Sequence, residues 1–240
     1  MTVILLRHGV STSNTAGTLA GRSPGVELTE RGIEQAAAVA ERLATLPIEH
    51  IATSPLLRCQ RTVAPLADKL GIEPTPDERL IEVDYGTWTG RPIKELVSEP
   101  LWKTVQAHAS GAVFPNGEGL AAVSHRAINA IRDIDKNLRD NADGRDVLWV
   151  GCAHGDIIKA ILADALGLHL DAFQRIAVEP ASVSVVRYGP HGPQVWKFND
   201  TGTDLSALAA SPKTAHATPG GEVPTTAATD NGNATDRDSA

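Results

Sequence analysis

Cysteine is nearly absent from this 240-residue chain: Cys59 and Cys152 are the only two, far apart in sequence. That excludes a small disulfide-stapled scaffold. Positive charge is also short. Twenty-two Lys and Arg stand against 29 Asp and Glu, for a net charge of −7, which argues against a general polyanion binder because nucleic-acid surfaces are normally basic. A local basic pocket stays open. No apolar run approaches the roughly 20 residues that span a bilayer, and the N-terminus runs straight into a strand with neither a basic n-region nor a signal-type cleavage site. The expectation is a soluble cytoplasmic protein with neither nucleic acid nor membrane as partner.

With 42% hydrophobic residues, the chain has ample material for a core. From about Ala209 the character changes. "AASPKTAHATPGGEVPTTAATDNGNATDRDSA" holds no aromatic residue and one large aliphatic, Val223. Such a composition cannot offset the entropy of ordering, so the expected organisation is one domain over 1–208 and a disordered low-complexity tail over 209–240.

Residues 1–208 alternate strand-like and helix-like segments. Val3–Leu6 and 147–152 are apolar strand patterns, and "IEHIATS" (48–54) is a shorter one. "LTERGIEQAAAVAERLATL" (28–46) predicts an amphipathic helix with Thr29 as N-cap and Pro47 as stop. A helix begins near Pro55-Leu56, with Pro65 expected to kink or shorten it. Helices are predicted at about 93–108, 119–140 and 156–166, the second from Val123, Ala127, Ala130, Ile131 and Ile134 at helical spacing. "SVSVVRY" and "QVWKF" around "GPHGP" predict a closing hairpin. The pattern implies an α/β fold: a three-layer sandwich whose central sheet, mostly parallel, is flanked by helices.

Two of the strands end unusually. "VILLRHG" finishes in Arg7-His8-Gly9, and "VLWVGCAHGD" finishes in His154-Gly155. Ligands of open α/β sheets sit at the carboxyl ends of strands, so adjacent strands would bring both histidines into one crevice. Arg7 and His8 would point to opposite faces of a regular strand; for both to serve one site the strand must end there, with Gly9 supplying backbone freedom. Arginine grips phosphate oxygens bidentately, and "TSPLLRCQRT" (53–62) supplies a second one, Arg58, in the first turn of a helix. Arg61 is expected to be solvated. His50, His108, His125, His169, His191 and His216 are expected on surfaces or loops, Trp88 and Trp102 in the core, and both cysteines as buried small hydrophobes.

"LLRHG" with Asn14 downstream, then "LTERGIEQA", "TSPLLRCQRT", "LIEVDYGTWTG" and "CAHGDIIK", occur in an order that resembles the histidine phosphatase superfamily, the phosphoglycerate-mutase-like enzymes. The resemblance spans about residues 2–200. It implies that His8 is a nucleophile that becomes phosphohistidine. Arg7, Arg58 and His154 would hold phosphoryl oxygens, Asn14 would add a phosphate contact, and the backbone of Gly155 would line the pocket. Glu82 would be the proton donor, with Asp84 its nearest rival in spacing. The implied substrate is a small phosphorylated metabolite, with no cofactor and no metal; a homodimer is left open. Val10, Pro55, Lys159 and "PNGEG" (115–119) depart from the usual family residues and leave substrate contacts undefined.

The leading expectation is a metal-independent phosphomonoester phosphatase. A phosphomutase is the alternative; the short segment 91–116, with Arg91, Lys94 and Lys103 as its basic residues, favours hydrolysis. A non-catalytic phosphate-binding module and a metallohydrolase using His8, His154 and Asp156 are weighed below both.

Overall fold

In the computed structural model, which describes residues 1–143 and 145–202, six strands form one mixed sheet. They are β1 (Thr2–Arg7), β2 (Ile48–Thr53), β3 (Thr75–Pro76), β4 (Leu148–Ala153), β5 (Val183–Gly189) and β6 (Gly192–Asp200), ordered β3-β2-β4-β1-β5-β6. β3, β2, β4 and β1 run parallel, and the β5–β6 hairpin closes the sheet antiparallel. The mostly parallel α/β sandwich expected from sequence is what the chain forms. The composition break at Ala209 lies outside the described residues.

β1 sits between β4 and β5, buried on both faces, which is why it reads as a continuous apolar run rather than an alternation. Its side chains still alternate. Val3 and Leu5 enter one core with Trp149, Ile131 and Ile158, while Ile4 and Leu6 enter the other with Val39, Val63 and Leu66. The first core lies under α6 (Leu120–Asn141) and α7 (Gly155–Ala165); the second lies under α2 (Glu30–Leu43) and α3 (Leu57–Leu70). Among the described residues, no helix is long and apolar enough to cross a membrane.

Local chemistry explains where the elements start and stop. Thr29 caps α2 by accepting from Gly32 N at 3.1 Å, as its spacing predicted, although the helix ends at Leu43 rather than reaching 46. Pro65 lies inside α3 without ending it; the helix runs on to Leu70 because Val63, Leu66 and Ala67 bury its inner face. The single helix predicted over 93–108 is instead two, α4 (Ile93–Leu96) and α5 (Pro100–Ala107). Pro100 disfavours helical backbone at Glu99 and starts the next helix at its first position. A five-residue helix, α1 (Thr12–Ala16), follows the His8 loop and is started by a capping box between Ser11 and Asn14.

Candidate active site

β1 and β4 are in register, Arg7 opposite Ala153, so the residues that follow each strand emerge side by side. The rings of His8 and His154 lie 5.3 Å apart at 60°. β1 ends at Arg7, which releases His8 from the strand alternation. Gly9 does not contribute the backbone freedom expected of it. Its requirement is space: a Cβ there would stand 2.6 Å from the Gly32 carbonyl, and a Cβ on Gly32 would run into the Val10 carbonyl. Two glycines let the loop after His8 lie directly on the start of α2.

His8 Nδ1 lies 2.7 Å from the Gly9 carbonyl. A carbonyl only accepts, so Nδ1 carries the proton and Nε2 keeps its lone pair. Burial, then the Arg58 and Arg7 charges, hold His8 well below the usual histidine range. His154 is held low by burial first and Arg58 next; its Nε2 is 2.7 Å from Ser54 Oγ and 3.5 Å from Cys59 Sγ. Both imidazoles are therefore neutral near pH 7.

The guanidiniums are buried and anchored. Arg7 Nη1 donates to the Val178 carbonyl at 2.7 Å, and Arg58 Nη2 donates to the Gly21 carbonyl at 2.9 Å. Thr62 Oγ1 accepts from Gly9 N at 3.0 Å and donates to the Arg58 carbonyl at 2.7 Å, joining the histidine loop to the arginine helix. Asn14 is buried in α1, its oxygen accepting from Ser11 N and Ser11 Oγ at 2.8 and 2.9 Å, so the amide's donor end is the part suited to an anion. Gly155, the first residue of α7, is buried beside His154.

Glu82 is 3% exposed. Its carboxyl is raised to about 7, by burial first and by the charge of Asp156 second, against the lowering effects of Val83 N–H, Arg58 and Arg7. Its rival Asp84 instead accepts from Gly86 N at 2.9 Å and shapes a turn. The segment bearing Glu82 is strapped down by residues the sequence did not flag. Arg126 donates to the carbonyls of Arg79, Ile81 and Glu82; Arg22 Nε donates to the Glu82 carbonyl at 3.0 Å; Glu118 binds both arginines and accepts from Asp84 N. Glu118 belongs to "PNGEG", which in sequence stands out only as a departure from the family pattern, and Arg126 carries no local signal.

Most of the remaining residues fall where expected; Trp102 is only partly buried against the core, and His50 lies within β2 rather than on a loop. Arg61 is exposed, 3.8 Å from Glu27. Trp88 is buried, stacked on Trp102, and both cysteines are buried and free. Among the histidines expected on surfaces or loops, His50 is half-buried against Trp149 and His108 contacts Asp171, while His216 is outside the described residues. Among the described residues no group of three or more His, Cys, Asp and Glu is placed to hold a metal; Asp156 is engaged with Tyr85 and Lys159.

Two neutral imidazoles, two anchored guanidiniums and a proton-bearing carboxyl at the carboxyl edge of a parallel sheet define a phosphate-handling α/β enzyme. The chain belongs to the histidine phosphatase superfamily, branch 1, whose model matches residues 3–201. It is 34% identical over 188 residues to a probable phosphoglycerate mutase, GpmB, of Yersinia pestis, covering 78% of this chain and 84% of that one. Phosphoserine phosphatase from Entamoeba histolytica, solved with 3-phosphoglyceric acid, superposes with TM-score 0.73 at 25% identity, over 83% of this chain and 96% of that one. A mycobacterial glucosyl-3-phosphoglycerate phosphatase, at 24% identity and TM-score 0.75 over 82% and 98%, shares the fold.

Proposed function

We propose that the protein is a phosphomonoester phosphatase, acting on a small phosphorylated metabolite of the cytoplasm through a phosphohistidine on His8. The observation that carries this reading is the His8 ring, whose Nδ1 is committed to the Gly9 carbonyl so that Nε2 is the unprotonated nucleophile. Arg7, Arg58, Asn14 and His154 are suited to take the phosphoryl oxygens, with Gly155 N–H beside them. Nε2 forms the N–P bond as the P–O bond to the alcohol breaks, and the leaving oxygen takes the Glu82 proton. The imidazole gains positive charge in that step, and the Gly9 carbonyl stabilises it. Water then attacks phosphorus, Glu82 takes its proton, and the N–P bond breaks to release phosphate. The covalent route divides one difficult displacement into two. A carboxyl near 7 suits both halves, since it gives and takes a proton near neutrality.

A phosphomutase is the second reading, favoured by the name of the relative at 34% identity. The short segment 91–116 favours hydrolysis: its α-helices are only α4 and α5, Arg91 is paired to Glu99, and Lys94 and Lys103 are exposed. The test is a phosphomonoester panel with wild type and His8→Ala, scoring released phosphate and isomerised product. Phosphate release lost in His8→Ala supports the phosphatase; isomerisation without release supports the mutase. No turnover, with phosphate binding unaffected by His8→Ala, refutes both.

A further inference from the structure

Asp156 stands two residues past His154 in the first turn of α7, 1% exposed. A carboxylate buried that deeply needs donors. Tyr85 Oη donates to its Oδ2 at 2.8 Å, and Lys159 Nζ lies 3.4 Å from its Oδ1. Lys159, also 1% exposed, donates to Gln174 Oε1 at 3.0 Å and sits 5.7 Å above the Phe173 ring. Tyr85 follows Glu82 by three residues on the strapped segment. The Tyr85–Asp156 hydrogen bond thus ties the turn that carries His154 to the segment that carries Glu82. None of these groups is needed to grip phosphate in the mechanism above, and a buried ion pair adds little stability over well-packed apolar residues.

We propose that Asp156, clamped by Tyr85 and Lys159, is a positioning residue that keeps the proton on Glu82 until the leaving oxygen takes it. The inference rests on the phosphatase reading. The tie through Tyr85 sets a buried carboxylate beside the Glu82 segment, and the charges around Glu82 agree with that role. Arg7 from the end of β1 and Arg58 from α3 both pull toward the carboxylate, as does Val83 N–H. His8 and His154 are neutral. Arg126 from α6 and Arg22 from the loop after α1 hold the Glu82 carbonyl, with Glu118 between them. From α7 come Asp156 and Lys159. Asp156 opposes ionisation of the Glu82 carboxyl, second to burial and more strongly than either arginine promotes it, while Lys159 attracts the carboxylate. Without Asp156, burial alone would hold the proton on Glu82 against Arg7, Arg58 and Lys159, and the carboxyl would release it at a lower pH.

The test is Asp156→Asn in the full chain, which removes charge while keeping an acceptor for Tyr85. Profiles of kcat/KM against pH are measured on β-glycerol phosphate, whose alkoxide needs a proton, and on p-nitrophenyl phosphate, whose leaving group does not. The alkaline limb on β-glycerol phosphate should move down by about one pH unit, a roughly tenfold loss at pH 8. That loss should fall in kcat rather than KM, while p-nitrophenyl phosphate changes by less than about twofold. Asp156→Asn/Lys159→Met removes the buried pair without stranding a charge. It should show the same direction of shift, and it carries the test if the single variant does not fold. An unmoved limb in a folded variant, or equal losses on both substrates, overturns the inference and leaves the function standing. Absence of His8-dependent release by the wild type overturns the function and this inference with it.

Discussion

His8 and His154 are neutral because burial and the neighbouring arginines disfavour their charged forms, and Glu82 keeps its proton because burial and Asp156 disfavour its anion. These shifts have opposite consequences for stability. The folded histidines bind fewer protons than unfolded ones near 6.5, so stability falls as pH drops below that value. Folded Glu82 holds a proton that the unfolded chain releases near 4.5, so stability also falls as pH rises from 4.5 through about 7. Glu82→Gln should therefore be more stable than wild type at pH 8, by up to about 3 kcal/mol, and no more stable at pH 4. It should lose roughly 10²–10⁴-fold in turnover of an alkyl phosphate. Denaturant melts at the two pH values, with turnover assays at pH 7, check both expectations. At this scale much is legible in the sequence: the rings of His8 and His154 lie 5.3 Å apart, and the charges of Arg7 and Arg58 act on both histidines and on Glu82, while Asn14 is buried in α1. Sequence alone offers Asp156 only as a metal-ligand candidate: Lys159 is its i+3 neighbour on α7, but Tyr85, which ties it to the Glu82 segment, is 71 positions away.

Strand ends and helix starts deliver the site. β1 and β4 stop at the same level, α7 begins at Gly155 directly after His154, and α3 begins one residue before Arg58. The loop from β1 to α1 is pressed onto α2 where Gly9 and Gly32 meet. Gly32→Ala should destabilise the fold by about 1–3 kcal/mol, since its Cβ would meet the backbone of Val10 rather than a yielding side chain. Its folded fraction should also have a lower kcat, because the displaced loop carries Gly9 and with it His8. Chemical denaturation and active-site-normalised kinetics separate the two effects. The sequence pointed to a glycine after His8 but to the wrong reason for it. Flexibility is visible in one residue, whereas close approach involves a partner 23 positions away. The α4–α5 break was likewise legible only in part: Pro100 was present, but periodicity ran across it.

Across the whole molecule, the crevice depends on a strap formed by distant residues. Arg126 from α6, Arg22 from the loop after α1 and Glu118 before α6 converge on the carbonyls and amides of 79–84. Arg126→Met should keep the apolar packing of α6, lower kcat about tenfold or more by loosening Glu82, and change KM little. A loss confined to KM would count against that role. The sequence by itself determined the alternation of strands and helices, the apolar β1 buried on both faces and the strand-end His-Gly pairs with their arginines, because each is written in neighbouring residues whose period or order carries the information. Only the tertiary structure decided which charges surround Glu82, how the 79–84 segment is strapped, and that Asp156 opposes two arginines. Most of those interactions join residues 24 to 96 positions apart, and their strength depends on burial that arises only when the sheet and both helical layers are assembled.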